Sequence, residues 1–362
     1  MGELRLMKGN EVLAEAAIRC GCDGYFGYPI TPQSEVMETL MERQPWNETG
    51  MVVLQAESEV AAINMVYGAA GTGKKVMTSS SSPGVSLMLE GISYIAGAEL
   101  PCLIVNVQRG GPGLGTIQPS QADYFQAVKG GGHGDYKLIV LAPSSVQEMN
   151  DFVDLAFELA FKYRNPAMIL TDGALGQMME KVELSDYKKR WTENEIAEKW
   201  GSWATTGKPS SRNRNIITSL ELDSCKMEMN NRRFQEKYRQ MEAEEQRYEM
   251  FSCDDAEYIL IAFGTSARVC QKATEIARNK GIAVGLLRPI TLFPFPAKII
   301  GELAPKVKGF LTVEMNAGQM VEDVKQAVYE AGCTRRVEFY GRMGGIIPSP
   351  GEVVEAIERN FL

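Results

Sequence analysis

The chain has 362 residues, 44% hydrophobic and 23% charged, a balance that suits a globular protein long enough for two ordinary cores. Its net charge of −8 offers no basic footprint for nucleic acid, and no apolar run reaches the roughly eighteen residues of a membrane span. The start, Met1-Gly2-Glu3-Leu4-Arg5-Leu6, lacks the basic head and apolar core of a secretion signal, so a cytoplasmic location is expected.

In chain order, residues 10–18 read as an amphipathic helix with Asn10 as its N-cap. Residues 23–26 form a short strand ending at Gly27, and helical spacing returns over residues 31–43. A buried strand is expected at 51–54, a helix at 57–70, a strand at 75–78 and a helix at 84–98. Strands follow at 102–108, 138–142 and 167–170, with a helix over 146–163 capped by Ser144. Strands spaced by helices predict a parallel sheet covered on both faces. Ligands of such sheets gather at the strand C-terminal edge, where the loops after Phe26, Leu54, Thr78 and Gln108 should open.

The composition changes after about residue 176. Residues 180–255 carry three tryptophans, a polar stretch and a dense charge run over 221–249, read as an exposed helix with a solvated face. A second α/β unit begins near Asp255, with strands at 258–263, 283–287, 309–313 and 337–340 and a proline-rich turn at Pro289, Pro294 and Pro296. The expected division is 1–178, 179–254 and 255–362.

Two glycine-rich stretches invite comparison with nucleotide loops. Gly68-Ala69-Ala70-Gly71-Thr72-Gly73-Lys74-Lys75 lacks the magnesium-binding hydroxyl, and it joins a helix to a strand where a phosphate loop joins a strand to a helix. Gly71 and Gly73 read instead as a helix C-terminal turn. Gly110-Gly111-Pro112-Gly113-Leu114-Gly115 has the wrong spacing for a dinucleotide fingerprint. The seven cysteines form no CxxC pair, and the single histidine, His133, sits in a glycine loop and cannot by itself build a metal site.

The chemistry-bearing segments are Tyr28-Pro29-Ile30-Thr31-Pro32 and Glu57-Ser58-Glu59. The first places a hydroxyl between two prolines, and Thr31 reads as a helix N-cap that can also present itself to an anion. The second places carboxylates at a helix start, where they suit the macrodipole whether or not they meet a ligand. Arg109, at a strand end beside the glycine loop, can grip a carboxylate with two parallel hydrogen bonds or make a surface salt bridge.

Tyr28-Pro29-Ile30-Thr31-Pro32, Glu57-Ser58-Glu59, Arg109-Gly110-Gly111-Pro112 with Gln121-Ala122-Asp123, and Glu314-Met315-Asn316-Ala317-Gly318-Gln319 together resemble the α subunit of the multisubunit 2-oxoacid:ferredoxin oxidoreductases. The resemblance covers essentially the whole chain and leans to the 3-methyl-2-oxobutanoate (2-ketoisovalerate) branch, with the 2-oxoglutarate branch next. It implies an α/β fold: a parallel sheet that binds the aminopyrimidine of thiamine diphosphate, then a transketolase C-terminal-like α/β domain. It implies catalytic roles for Glu59, Thr31 and Arg109. Tyr28, Pro29, Ile30 and Glu59 would hold the cofactor, and Glu57 is the alternative pyrimidine partner. The carboxylate would favour the imino tautomer of the pyrimidine, and Thr31 and Arg109 would face the substrate carboxylate. The nearest string to a diphosphate-anchoring Gly-Asp-Gly is Thr171-Asp172-Gly173, which lacks the first glycine. Magnesium, the diphosphate end and an iron–sulfur cluster are therefore expected from a β subunit. A γ subunit and a ferredoxin-like subunit would complete a hetero-oligomer, a dimer of heteromers being one form, with coenzyme A as acyl acceptor. Leu114 and Ile117 are expected to line a pocket for a branched aliphatic side chain.

Overall fold

A computed structural model describes residues 3–362, and the reading of the Met1-Gly2 start lies outside them. Among the described residues the strands are β1 (Glu3–Lys8), β2 (Gly24–Gly27), β3 (Val52–Gln55), β4 (Val76–Ser80), β5 (Leu103–Gln108), β6 (Ile139–Leu141), β7 (Ala167–Asp172), β8 (Met179–Leu184), β9 (Tyr248–Phe251), β10 (Tyr258–Ile261), β11 (Val284–Pro289), β12 (Thr291–Phe293), β13 (Gly309–Glu314) and β14 (Arg336–Gly341).

The larger sheet runs β12-β6-β7-β5-β4-β2-β3 and is parallel except at β12. Its central strand β5, Leu-Ile-Val-Asn-Val-Gln, is buried throughout, as a strand covered on both faces must be. The smaller sheet runs β14-β13-β10-β11-β9 and is parallel except at β9. The antiparallel pair β1–β8 stands apart from both.

Several sequence expectations change. Asn10 is not the cap: the helix is Gly9–Arg19 with Lys8 at its N-cap, and the Asn10 side chain instead donates to the Pro32 carbonyl (2.6 Å) and Glu35 (2.9 Å). Thr31 is not a cap either, because a turn intervenes and the helix Ser34–Arg43 starts after Gln33. Ser145, not Ser144, caps the helix Val146–Tyr163; the Ser144 backbone N–H and hydroxyl both donate to Glu148. The run at residues 51–54 is only partly buried, since β3 is the sheet's edge strand and leaves Val52 and Leu54 exposed.

The charge-rich stretch does form a helix, Ser224–Glu244, but one face is docked. Phe234, Tyr238 and Met241 are buried, and Lys237 joins Glu99 and the Arg164 carbonyl. Three apolar residues at helical spacing suffice to seat it among charges that stay wet. The proline-rich segment is more than a turn, because β12 crosses to pair with β6 of the larger sheet.

The two sheets are joined by polar groups as well as apolar ones. Arg288 on β11 is fully buried. Its guanidinium grips Glu148 of the first unit with Nη1 (2.7 Å) and Nη2 (2.6 Å), while Nη1 also donates to Ser144 (2.7 Å) and Nε to Glu249 (3.0 Å). Removing one member of a buried bidentate pair strands the other's charge, at about 3–5 kcal/mol when the survivor is wholly buried. Glu148 is partly exposed, so Arg288→Ala should cost about 2–3 kcal/mol, read as a lower denaturant midpoint. A loss under about 0.5 kcal/mol would mean that the pair does not join the units.

Candidate functional site

The C-terminal ends of β2, β3, β4 and β5 face one edge of the larger sheet, so the four loops named from sequence converge there. The loop after β3 leads into the helix Glu59–Ala70, capped by the Ser58 hydroxyl, which accepts from the Ala61 N–H at 3.2 Å. An extended Ser58 followed by a helical Glu59 turns the two acids apart. Glu57 is exposed, whereas Glu59 is only 6% exposed. The Glu59 carboxylate makes no hydrogen bond or ion pair with another described residue. A carboxylate on a largely buried side chain, paired with no described residue, is open to a ligand that supplies the donor.

Its surroundings are shaped for a close approach. Gly84, in the first turn of the helix Ser82–Gly97, leaves room that a methyl group would fill: a Cβ there would stand 2.7 Å from Glu59 Oε1 and 2.2 Å from Ser80 Oγ. Both contacts are shorter than van der Waals distance, so a side chain here would push the Glu59 and Ser80 oxygens out of their present places. An unpartnered buried carboxylate with such a cradle beside it fits the aminopyrimidine end of thiamine diphosphate.

The turn after β2 is braced from beneath by residues that sequence reasoning passed over. Gln33, fully buried, donates through Nε2 to the Tyr28 carbonyl (3.1 Å) and accepts from the Ser79 hydroxyl (2.6 Å), which also meets the Tyr25 hydroxyl (2.8 Å). Burial pushes the Tyr25 phenol up to about 12, so it stays a neutral partner at physiological pH. Held this way, Tyr28 and Ile30 are half-buried, while Pro29 and Thr31 are exposed at the edge. A Gln in a helical pattern carries no signal of this bracing, which exists only because β4 passes beneath the turn.

Arg109 is 6% exposed and, among the described residues, has no carboxylate partner. The surface salt bridge considered from sequence is therefore absent. Its Nη1 donates to the Thr31 carbonyl (2.9 Å), its Nη2 to the Leu114 carbonyl (2.9 Å), and its buried Nε finds no acceptor. The guanidinium thus ties the Thr31 turn to the glycine loop while carrying a charge that no described residue neutralises. Such a cation calls for an anion. The loop itself is folded tightly: Gly110 N–H donates to the Gln118 carbonyl (2.9 Å) and Thr116 N–H to the Gly110 carbonyl (2.8 Å). Gly115 has φ 61°, and a side chain there would run into the Gly110 oxygen.

A cavity of about 680 Å³ opens beside this loop, between the two units. Arg109 and residues 110–113 form one wall, Ser82, Pro83 and Ser86 another, and Met315, Asn316, Ala317, Gln319, Met343 and Gly344 of the second unit the third. Leu114 and Ile117 do not line it. Both are exposed, 81% and 56%, so the expected aliphatic pocket is not built by them within this chain.

A buried polar seam runs behind the cavity wall, and of its members only Asp123 and Asn316, with Met315 and Ser82, line the cavity itself. Gln121 receives the Ser266 hydroxyl (2.7 Å) and the Met315 N–H (3.1 Å) on its side-chain oxygen and donates to the Phe263 carbonyl (2.8 Å). Glu314, fully buried, accepts from Asn316 Nδ2 (2.9 Å) and from the backbone N–H groups of Met320 (2.8 Å) and Val321 (3.0 Å). Asp123 accepts the Ser82 hydroxyl (2.6 Å) and Asn106 amide (2.9 Å). Burial raises the Asp123 and Glu314 carboxyls above their ordinary values, against the pull of those donors. Asp172, the residue of the incomplete Gly-Asp-Gly string, is a buried helix cap whose oxygen accepts from Ala174 and Leu175 N–H. His133 is exposed in its loop. No group of three or more His, Cys, Asp or Glu side chains among the described residues could hold a metal ion.

Residues 15–250 match the family described as pyruvate flavodoxin/ferredoxin oxidoreductase, thiamine diP-bdg, and residues 256–353 match pyruvate:ferredoxin oxidoreductase core domain II. The chain is 51% identical to the ketoisovalerate oxidoreductase subunit VorB of Methanothermobacter thermautotrophicus, over 98% of this chain and 97% of that protein. It is 35% identical to the 2-oxoglutarate synthase subunit KorA of Methanocaldococcus jannaschii, over 98% and 99%. Among solved structures it resembles the 2-oxoglutarate:ferredoxin oxidoreductase from Magnetococcus marinus with 2-oxoglutarate, coenzyme A and succinyl-CoA bound, at TM-score 0.84 and 26% identity. That likeness covers 99% of this chain but only 65% of the other.

The seam has a pH signature. The folded Asp123 carboxyl keeps its proton to higher pH than the unfolded one, so stability falls as pH rises from the ordinary aspartate value of 3.8 toward the raised folded value. Asp123→Asn preserves the acceptor oxygen and removes the titration. Its stability relative to wild type should therefore grow over that interval in urea titrations at stepped pH. A relative stability that shrank with rising pH would show that the carboxylate is favoured there.

Proposed function

The chain belongs to the thiamine-diphosphate-binding family of 2-oxoacid:ferredoxin oxidoreductase subunits, and from that membership we propose that it is the α subunit of an enzyme that oxidatively decarboxylates a branched-chain 2-oxoacid to its acyl-CoA while reducing ferredoxin. The observation that carries the site assignment is the buried, unpartnered carboxylate of Glu59. The preference for 2-ketoisovalerate over 2-oxoglutarate rests on 51% identity to VorB against 35% to KorA. Turnover of the assembled complex on a panel of 2-oxoacids tests that choice.

When bound, thiamine diphosphate supplies the electron sink that lets a 2-oxoacid lose carbon dioxide. Glu59 serves it by accepting a hydrogen bond from the pyrimidine ring nitrogen and holding a proton there. Tyr28, Pro29 and Ile30, on the braced turn, border the ring. Arg109 meets the substrate carboxylate with the donors that the Thr31 and Leu114 carbonyls do not use, and that anion balances its buried charge. The Thr31 hydroxyl, at the same turn and without a partner in the chain, gives a second donor to the carboxylate. The cavity between the units gives the acyl acceptor a route to the reacting carbon.

The cofactor's diphosphate end, magnesium and an iron–sulfur cluster belong to a β subunit in this reading, and γ and ferredoxin-like subunits complete the cytoplasmic assembly. No helix among the described residues is long and apolar enough to cross a membrane. The face next to Glu59 is suited to a protein partner. Edge strand β3 exposes Val52 and Leu54, the helix Glu59–Ala70 exposes Val60 and Met65, and the helix Ser82–Gly97 exposes Leu87 and Tyr94. Helices apolar on both faces are built to be covered on both.

Glu59→Gln in the assembled complex should remove most turnover while leaving assembly intact. Normal turnover would reduce this chain to a scaffold. Val60→Asp should weaken association with the partner tenfold or more, because a charge would be buried without a counter-ion. Unchanged co-purification would move the interface elsewhere.

A further inference from the structure

Strand β4 ends in the hydroxyls Thr78-Ser79-Ser80, and Ser81 follows at the start of the next helix, all fully buried. Ser79 faces the turn after β2 and is paired with Gln33 and Tyr25. Ser80 points to the opposite side of the strand, and its hydroxyl has no hydrogen-bond partner, nor does that of Thr78. A buried hydroxyl left unpaired costs stability, and alanine would fit the same place without that cost. The one unpartnered charged group next to it is Glu59. The two oxygens approach the same point from different elements, Ser80 from the strand end and Glu59 from a helix start, and they occupy the space that a side chain at Gly84 would take.

We propose that Ser80 is a positioning residue for Glu59: unpaired in the free chain, its hydroxyl donates, once the cofactor is loaded, to the carboxylate oxygen that faces Gly84, leaving the other oxygen aimed at the pyrimidine nitrogen. The inference rests on the assignment of Glu59 as pyrimidine partner and adds what aims it. A carboxylate with two equivalent oxygens and a rotatable side chain has no preferred orientation by itself. One fixed donor on one oxygen removes that freedom, and Gly84 keeps the space between them clear. The cost in folding stability is then the counterpart of a gain in the loaded site.

The test uses the assembled complex with thiamine diphosphate bound and no 2-oxoacid. The rate at which the cofactor's thiazolium proton exchanges with heavy water, followed by acid quench and proton NMR, reports how well Glu59 is aimed, independently of later steps. Ser80→Ala should slow this exchange and lower kcat about tenfold, as expected for losing a hydrogen bond to a charged group, while KM for the 2-oxoacid stays near wild type. The unfolding midpoint of the same variant should be unchanged or higher, since a partnerless hydroxyl has been removed. Wild-type exchange in Ser80→Ala, with exchange abolished in Glu59→Gln, overturns the role of Ser80 alone. Wild-type exchange in Glu59→Gln overturns the assignment on which it rests. A lowered midpoint in Ser80→Ala that accounts for the lost activity makes Ser80 a packing residue, which also overturns the proposal.

Discussion

Two buried charges without partners organise this molecule. Glu59 and Arg109 lie at the same sheet edge, each with a largely buried side chain, and neither meets an opposite charge among the described residues. A fold that buried ions in this way for stability alone would be working against itself, because the desolvation of each ion is not repaid internally. In the proposed reading the missing partners are a pyrimidine N–H for Glu59 and an anionic substrate for Arg109. Much of the local architecture then reads as support: the Gln33 brace holds the turn, Arg109 ties that turn to the glycine loop, and Gly84 keeps the space beside Glu59 open.

The second unit does more than extend the fold. Its Glu314–Gln319 segment closes one wall of the cavity and is bonded to Gln121 and Ala122 on the loop that leads away from Arg109. Asn316 donates to the Gln121 carbonyl, and Gln319 to that of Ala122, so the loop that follows Arg109 is anchored at one end by the other unit. Strand β12 and the Arg288–Glu148 pair fix the same relationship from the far side. Motifs that lie about two hundred residues apart in sequence thus form one rigid floor, which accounts for their joint appearance in the family resemblance.

The exposed apolar face beside Glu59 complements this picture. The cofactor reading needs a second surface to hold the diphosphate end, and the edge strand β3 with its two neighbouring helices presents uncovered hydrophobic area at that place. In the proposed reading, stability of the site and assembly are coupled, because a partner that completed the chemistry would also bury the side chains this chain leaves in water.

The sequence by itself determined the alternation of strands and helices and the convergence of four loops on one sheet edge, and its motifs singled out Glu59, Thr31 and Arg109 as candidates. Those follow from local periodicity, from strand-end position and from motifs that survive as short strings. It misplaced Asn10 and Thr31 as helix caps, because a capping residue and a residue that binds a distant loop look alike when only neighbours are read. It also placed Leu114 and Ile117 in a pocket that they do not line. Only the tertiary structure decided which of Glu57 and Glu59 is buried, that Arg109 lacks an internal counter-ion, and that Gln33, Ser80 and Gly84 surround the site. Burial and the absence of a partner are properties of what the rest of the chain brings to a side chain, and no window of neighbouring residues contains them.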